Sequence, residues 1–299
     1  MAVGPCLSAQ LATFPAPGRP ILEDVLGEPG FRGVIRAPMV DALAEATGGS
    51  VADLLRLLVP FAQCYAVPPI SDFRVGVVAQ GESGSVYFGA NMEYVGAALG
   101  FTVHGEQSAT TNAWLNGEQG LTAIAISAAP CGYCRQFLYE LTTASTLTVL
   151  IGGERPVRLV DLLPQAFGPS DLGVAAALMS PESHGLTIDP PPSDPVVLAA
   201  LAAADASYAP YSKGFAGVAL QTGSGTVYTG RYAENAAFNP SMSPLESALT
   251  MWSLGGDADD ALTRAVLVEA RSKVDHAAAT EAVLAAIAEV ELEVYRARS

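Results

Sequence analysis

The stretch of sequence that decides the fold is VHGEQSATTNAWLNGEQGLTAIAISAAPCGYCRQFL, residues 103–138. It contains four side chains that bind metals or move protons, in the order H-x-E … P-C-x-x-C: His104, Glu106, Cys131 and Cys134. The pattern predicts a helix that starts near His104, an apolar strand at 121–127, and a second helix opened by Pro130, since proline suits a first turn. Two helix starts are therefore expected to meet at one site.

The residue types at this site favour a catalytic zinc ion. One imidazole (His104) and two thiolates (Cys131 and Cys134) leave a tetrahedral Zn²⁺ one ligand short, and an open fourth position that holds water marks a catalytic site. Zinc lowers the pKa of such a water to roughly 7. Glu106 is too close to His104 along the chain to suit a fourth ligand, but it is well placed to exchange protons with that water. The arrangement matches the pattern of zinc deaminases.

Two other interpretations of the cysteine pair were weighed. C-x-x-C also occurs in redox pairs and in structural zinc knuckles. A knuckle needs further ligands, and the remaining cysteines and histidines form no second knuckle pattern: Cys6, Cys64, His184 and His276. A redox pair does not require His-x-Glu upstream. Catalytic zinc is therefore the interpretation that we adopt, with Cys64 expected to be a core thiol and His276 a surface residue.

Composition excludes several classes of function. The chain has 299 residues, 50% of them hydrophobic, which is enough for two domains. Its net charge of −15 and the absence of a basic run argue against tight binding to nucleic acid, which requires Lys and Arg to neutralise phosphates. Four cysteines, two of them assigned to metal, indicate a reducing compartment. No signal peptide or membrane-spanning run is evident, so we expect a cytoplasmic protein that does not bind membranes.

The chain repeats itself at a distance of 141 residues. SGSVYFG at 83–89 recurs as SGTVYTG at 224–230, and both predict a strand after a turn. With a one-residue adjustment Glu106 falls on Glu246 and His104 falls on Pro244. Because all four cysteines lie in the first half of the sequence, the second copy is predicted to keep the fold and lose the metal.

The predicted organisation has four parts. They are a small helical N-terminal segment (1–48), a catalytic domain (49–180), a Pro-rich linker (181–195) and a degenerate, zinc-less copy (196–299). In the catalytic domain, strands are expected at 73–78 and 85–89.

The motifs TVHGEQSA, PCGYCRQFL, FGANMEY, YAPYSK and GRYAENAAFNP resemble those of cytidine deaminases of the two-domain, homodimeric kind. The resemblance covers nearly all residues after about 48. It implies an α/β fold of three layers, a mixed five-stranded sheet flanked by helices, present twice in the chain. It also implies one Zn²⁺ per chain and a homodimer.

The resemblance further implies a reaction and a set of contacts. Cytidine and 2′-deoxycytidine would be hydrolysed to uridine and 2′-deoxyuridine with loss of ammonia, a step of pyrimidine salvage. A zinc hydroxide would attack C4, and Glu106 would move the protons. The residues similar to the family's substrate contacts are Asn91 and Glu93 for the ribose 3′-hydroxyl, Phe73 for the pyrimidine face, and Gly105 and Ala129 for the base. Phe238-Asn239-Pro240 is similar to a segment that helps to close the partner's pocket.

The sequence also departs from that family. Gly105 stands where relatives commonly have alanine, and Ala128-Ala129 stand where they tend to have Tyr and Thr. The alternatives are a zinc deaminase with another substrate and a zinc protein without turnover. An intact Glu106 favours turnover, and the pair of Asn91 and Glu93 favours a nucleoside.

Overall fold

A computed structural model describes residues 4–256 and 260–299. The helices are α1 (Pro5–Thr13), α2 (Arg19–Leu26), α3 (Ala37–Thr47), α4 (Val51–Ala62), α5 (Gly105–Leu115), α6 (Gly132–Leu138), α7 (Leu159–Leu162), α8 (Pro195–Asp205), α9 (Pro244–Leu254) and α10 (Ala277–Ile287). The strands are β1 (Val34–Ile35), β2 (Gly76–Gly81), β3 (Val86–Ala90), β4 (Leu121–Ile126), β5 (Thr148–Ile151), β6 (Val157–Arg158), β7 (Ala216–Thr222), β8 (Val227–Arg231), β9 (Leu262–Ala270) and β10 (Leu292–Ala297). None of the described helices has the length and apolar character that crossing a bilayer demands.

The chain folds as two units. The first comprises Met1–Met92 and Val103–Ala166, and the second comprises Glu93–Thr102 and Phe167–Ser299. The first unit holds a six-stranded sheet in the order β1-β3-β2-β4-β5-β6. Only β4 and β5 run parallel, so the sheet is mixed. Helix α4 packs on this sheet and begins at a capping box between Ser50 and Asp53, as its sequence predicts.

The second unit repeats the central part of this sheet. Its four described strands follow the order β10-β9-β7-β8, and β9 and β10 are the parallel pair. Val77 pairs with Gly89 in the first unit, and Val218 pairs with Gly230 in the second, 141 residues later in both strands. The predicted α/β fold in two copies is thus confirmed. The first sheet exceeds five strands because β1 and β6, each of two residues, extend its edges.

The first long strand begins later than its sequence suggests. We expected a strand from residue 73, but β2 starts at Gly76. The side chain of Asn91 binds the backbone of the preceding segment, with Oδ1 accepting from Val75 N (2.8 Å) and Nδ2 donating to Phe73 O (2.9 Å). A side chain therefore takes the place of a neighbouring strand there.

The helices that follow the repeated hairpins are related by a different distance. A Cβ on Gly89 would collide with the backbone of Ala109 in α5, and one on Gly230 would collide with that of Ala248 in α9. The two glycines are 141 residues apart, whereas the two alanines are 139 apart. The helices therefore match two residues out of step with the strands.

This register corrects the prediction that Glu246 takes the place of Glu106. The matching pairs at the two helix starts are His104 with Ser243, Glu106 with Leu245, and Gln107 with Glu246. Ser243 and Glu246 form a capping box, with Glu246 N donating to Ser243 Oγ at 3.2 Å. Glu246 is therefore a capping residue at the third helical position, and neither the metal ligand nor the acid has a counterpart in α9.

Two minor predictions were wrong. Cys64 is not a core thiol, because α1 packs against α4 and brings Cys6 into a disulfide with it. His276 is not a surface residue but is 7% exposed. It precedes α10, where its backbone N–H donates to Glu269 Oε2 and its Nε2 lies 3.1 Å from Gly214 O.

Candidate active site

Helix α5 begins at the site. His104 is its N-cap residue, and its backbone N–H donates to the side chain of Gln107 (3.1 Å), which fixes the first turn. The imidazole stacks on the ring of Tyr133, with ring centroids 5.2 Å apart. Glu106 lies in the first turn and is only 4% exposed. The positive end of the helix dipole favours a carboxylate there.

Helix α6 begins at the same site. Cys131 is its N-cap residue rather than part of its first turn, and its Sγ accepts from Cys134 N at 3.5 Å. Arg135 braces the turn that leads into the helix, since it donates to Pro130 O (2.9 Å) and to Leu162 O (3.0 Å). Cys131 is exposed and Cys134 is buried.

The three predicted ligands come together with the spacing of a zinc site. Cys131 Sγ lies 3.6 Å from His104 Nδ1 and 3.6 Å from Cys134 Sγ. The ligand atoms of all three residues lie within 4.8 Å of one another. Tetrahedral zinc with Zn–S of about 2.3 Å and Zn–N of about 2.0 Å requires S–S and S–N distances of about 3.8 and 3.6 Å. The residues present therefore fit a zinc ion, with His104 as a ligand through Nδ1.

The protonation of the two thiols agrees with this donor set. The hydrogen bond with Cys134 lowers the pKa of Cys131 to about 5, and the same bond raises the pKa of Cys134 far above its usual value. The pair thus shares one proton in the metal-free chain. A bound zinc ion displaces such protons, because its sulfur ligands are thiolates.

Glu106 is chemically poised for proton transfer. Burial raises the pKa of its carboxyl group, and hydrogen bonds with its own backbone N–H and with Cys134 oppose that shift. A carboxyl group whose pKa is raised towards neutral exchanges protons more readily than an exposed one. Glu106 therefore has the environment expected of a general acid and base.

The predicted substrate-binding residues occupy different settings. Asn91 is buried and spends one donor and one acceptor on residues 73–75, which leaves its amide a second proton and a second lone pair. Phe73 is 59% exposed, and Ala129 is also exposed. Gly105 is buried against Val77. Glu93 is half-buried in the segment that packs with the second unit.

The site includes residues that the sequence did not single out. Gln107 caps the helix of His104, Tyr133 stacks on the imidazole, and Arg135 holds the turn before Cys131. The position of Gln107 three residues after the cap is a sequence signal that could have identified it. The other two contacts depend on how α5 and α6 converge. In the second unit, the described His, Cys, Asp and Glu residues form no comparable cluster.

Family profiles match most of the chain. Two profiles described as "Cytidine and deoxycytidylate deaminase zinc-binding region" match residues 52–150 and 159–281. The chain belongs to the cytidine deaminase family. The resemblance inferred from the motifs is thus confirmed, as is the interpretation that the protein is an enzyme and that its family binds zinc.

Individual members of the cytidine deaminase family agree with this assignment. The chain is 43% identical to the cytidine deaminase of Serratia proteamaculans over 284 residues, which cover 95% of this chain and 96% of that protein. It is 45% identical to the cytidine deaminase of Yersinia pestis over 263 residues, covering 88% and 89%. A crystal structure of cytidine deaminase from Mycobacterium tuberculosis covers 39% of this chain and 96% of that chain, with 36% identity and a TM-score of 0.36.

Proposed function

We propose that this enzyme hydrolyses cytidine and 2′-deoxycytidine to uridine and 2′-deoxyuridine with release of ammonia, a reaction of pyrimidine salvage. The observation that carries the proposal is the convergence of three zinc-compatible ligand atoms at two helix starts, beside a buried carboxyl group. The names of the similar proteins support cytidine as the nucleoside.

Within this proposal, His104, Cys131 and Cys134 hold one zinc ion per chain. When bound, zinc supplies a Lewis acid that makes hydroxide available at neutral pH for attack on C4. Glu106 accepts the proton of the attacking water, delivers it to N3 of the pyrimidine, and passes a proton to the departing amine. Its raised pKa suits both directions of transfer.

The remaining predicted residues bind the nucleoside. Asn91 and Glu93 hydrogen-bond to the ribose 3′-hydroxyl, and Phe73 packs on the pyrimidine. Gly105 and Ala129 contact the base through their backbone, because neither side chain carries a polar group. A site built to bind a hydroxyl rejects analogues that lack it, since its polar groups are then left unpaired.

We propose that the catalytic domain is 49–180 and that 196–299 is a zinc-less copy joined by the linker 181–195. We also propose a homodimer, to which Phe238-Asn239-Pro240 contributes near the partner's pocket. Its support is a cluster of exposed apolar side chains close together in the first unit: Val67 (48% exposed), Ile70 (48%) and Phe73 (59%). A cytoplasmic location suits the thiolate ligands, which a reducing compartment protects from oxidation.

The test uses purified enzyme with cytidine and with 2′-deoxycytidine, followed by ultraviolet absorbance and ammonia release, with zinc counted in the same sample. Glu106→Gln should retain zinc and lose at least about 10²–10⁴-fold in kcat, the contribution of general acid–base catalysis. Glu118→Gln is the control, because Glu118 is 6% exposed but binds Tyr87 Oη (2.9 Å) rather than a zinc ligand. Wild-type turnover by Glu106→Gln with its zinc retained would refute the assigned role.

A further inference from the structure

The chain makes a closed loop between the predicted ribose-binding residues and the zinc-binding helix. Met92 and Val103 pair across its base, with N–O distances of 2.9 and 3.0 Å in the two directions. Residues 93–102 lie between them, as in a compact surface loop with adjacent ends. Glu93 is the first residue of this loop, and His104 follows directly after Val103. The placement of the loop therefore affects both residues.

Two aromatic side chains anchor this loop. Tyr94 and Phe101 pack against the hydrophobic core of the second unit, a cluster that includes Leu245 and Leu249 of α9. In contrast, Val95 is 63% exposed and Leu99 is 71% exposed. The backbone hydrogen bonds within the loop close short turns, such as Phe101 N to Ala98 O at 3.0 Å. Side-chain burial at the two aromatic residues is therefore what fixes the loop.

The anchoring is apolar. The hydroxyl of Tyr94 is buried and has no hydrogen-bond partner among the described residues. An unpaired buried hydroxyl costs stability, so the ring, and not the hydroxyl, supplies the favourable contact. The corresponding loop of the second copy, 234–241, is two residues shorter. There Glu234, which matches Glu93, is 3% exposed and accepts from Tyr211 N (2.8 Å). The second copy thus fixes its own glutamate by local hydrogen bonds.

We propose that Tyr94 and Phe101 are positioning residues of the deaminase reaction, which hold Glu93 and the start of the zinc-binding helix in place by burial in the core of the second unit. This inference rests on the proposed function, because it assigns Glu93 to ribose binding. It gives the zinc-less copy a task in the reaction, since α9 supplies the apolar surface on which the active-site loop is seated.

The test compares three variants of the zinc-loaded full chain: Tyr94→Ala, Tyr94→Phe and Val283→Ala. Val283 is the matched control, because it is 2% exposed in the same hydrophobic cluster but belongs to α10. The measurements are zinc content, thermal midpoint, and kcat and KM for cytidine and for 3′-deoxycytidine. Tyr94→Ala should lower kcat/KM for cytidine by about 10- to 100-fold, since a misplaced positioning residue costs up to about 100-fold.

The remaining readouts separate positioning from stability. Tyr94→Ala should retain zinc and should lose much of the preference for cytidine over 3′-deoxycytidine. Tyr94→Phe keeps the ring and should match the wild type, and Val283→Ala should lower the thermal midpoint without changing kcat/KM. If Tyr94→Ala does not fold, Tyr94→Leu serves in its place. Equal kcat/KM for the position 94 variant and Val283→Ala would overturn the inference. Absence of cytidine turnover by the wild type would instead overturn the proposed function.

Discussion

A methyl group at position 105 would collide with the strand beneath the zinc-binding helix. A Cβ on Gly105 would lie 2.7 Å from Val77 Cγ2 and 3.1 Å from Val75 Cγ1. Ordinary contacts between carbon atoms are about 3.5–4.0 Å, so the shorter distance lacks at least about 0.8 Å. Val77 is fully buried in β2, and its β-branched side chain has little freedom to turn away.

The magnitude follows from two opposing effects. Alanine stabilises a helix by up to about 1 kcal/mol relative to glycine. Overfilling a packed core costs about 1–3 kcal/mol. Gly105→Ala should therefore lower the free energy of unfolding by about 1–2 kcal/mol. Because Gly105 stands between His104 and Glu106, any shift that relieves the collision also moves the zinc ligand and the proton carrier, so kcat/KM should fall as well.

Tryptophan fluorescence can follow the relevant unit by itself. The chain has two tryptophans, and Trp252→Phe leaves Trp114 of α5 as the sole reporter. Urea unfolding in this background would compare Gly105→Ala, Val77→Ala and the double variant. Removing the Val77 methyl groups opens the space that the new Cβ needs, so the double variant should be more stable than the sum of the single losses predicts, by about 1 kcal/mol. A Gly105→Ala protein as stable as its parent, or additivity within about 0.5 kcal/mol, would refute the reasoning.

Three further predictions concern other parts of the chain. Burial raises the pKa of Glu246 to about 7 from 4.5, so the folded chain keeps a proton that the unfolded chain releases, and stability falls as pH rises through this window. Glu246→Gln should therefore raise the thermal midpoint at pH 8 but not at pH 4, and an equal shift at both would contradict this. Cys6→Ser opens the disulfide to Cys64 across 58 residues and should cost about 4 kcal/mol of unfolding free energy, matched by reductant in the wild type and unaffected by reductant in the variant. Cys134→Ala should lose zinc by metal analysis, and a full complement of zinc would remove Cys134 from the ligand set.

Much of the zinc site could be predicted because its signals are local. A proline before Cys131, a charged residue in the first turn after His104, and an apolar run between them each reflect short-range backbone preferences. The structure places the ligand atoms of His104, Cys131 and Cys134 together as that pattern implied. The α/β fold in two copies was predictable for the same reason, because the repeated strand and turn sequence fixes the hairpin in both units.

Other features could not be predicted because they depend on contacts between distant parts of the chain. The match of Glu246 with Gln107, rather than with Glu106, shows only where Gly89 and Gly230 meet their helices. The disulfide of Cys64 depends on how α1 packs against α4. The alternative use of the Asn91 amide as a backbone bridge depends on the course of residues 73–75.

The sequence by itself thus determined the metal ligands, the proton carrier and the repeated α/β fold, since spacing, capping and periodicity are properties of contiguous residues. The tertiary structure alone decided the register of the second copy, the tight contact beneath Gly105 and the burial of Tyr94 in the second unit. These depend on which surfaces meet when apolar area leaves water, and that outcome is set by the packing of the whole chain rather than by any segment of it.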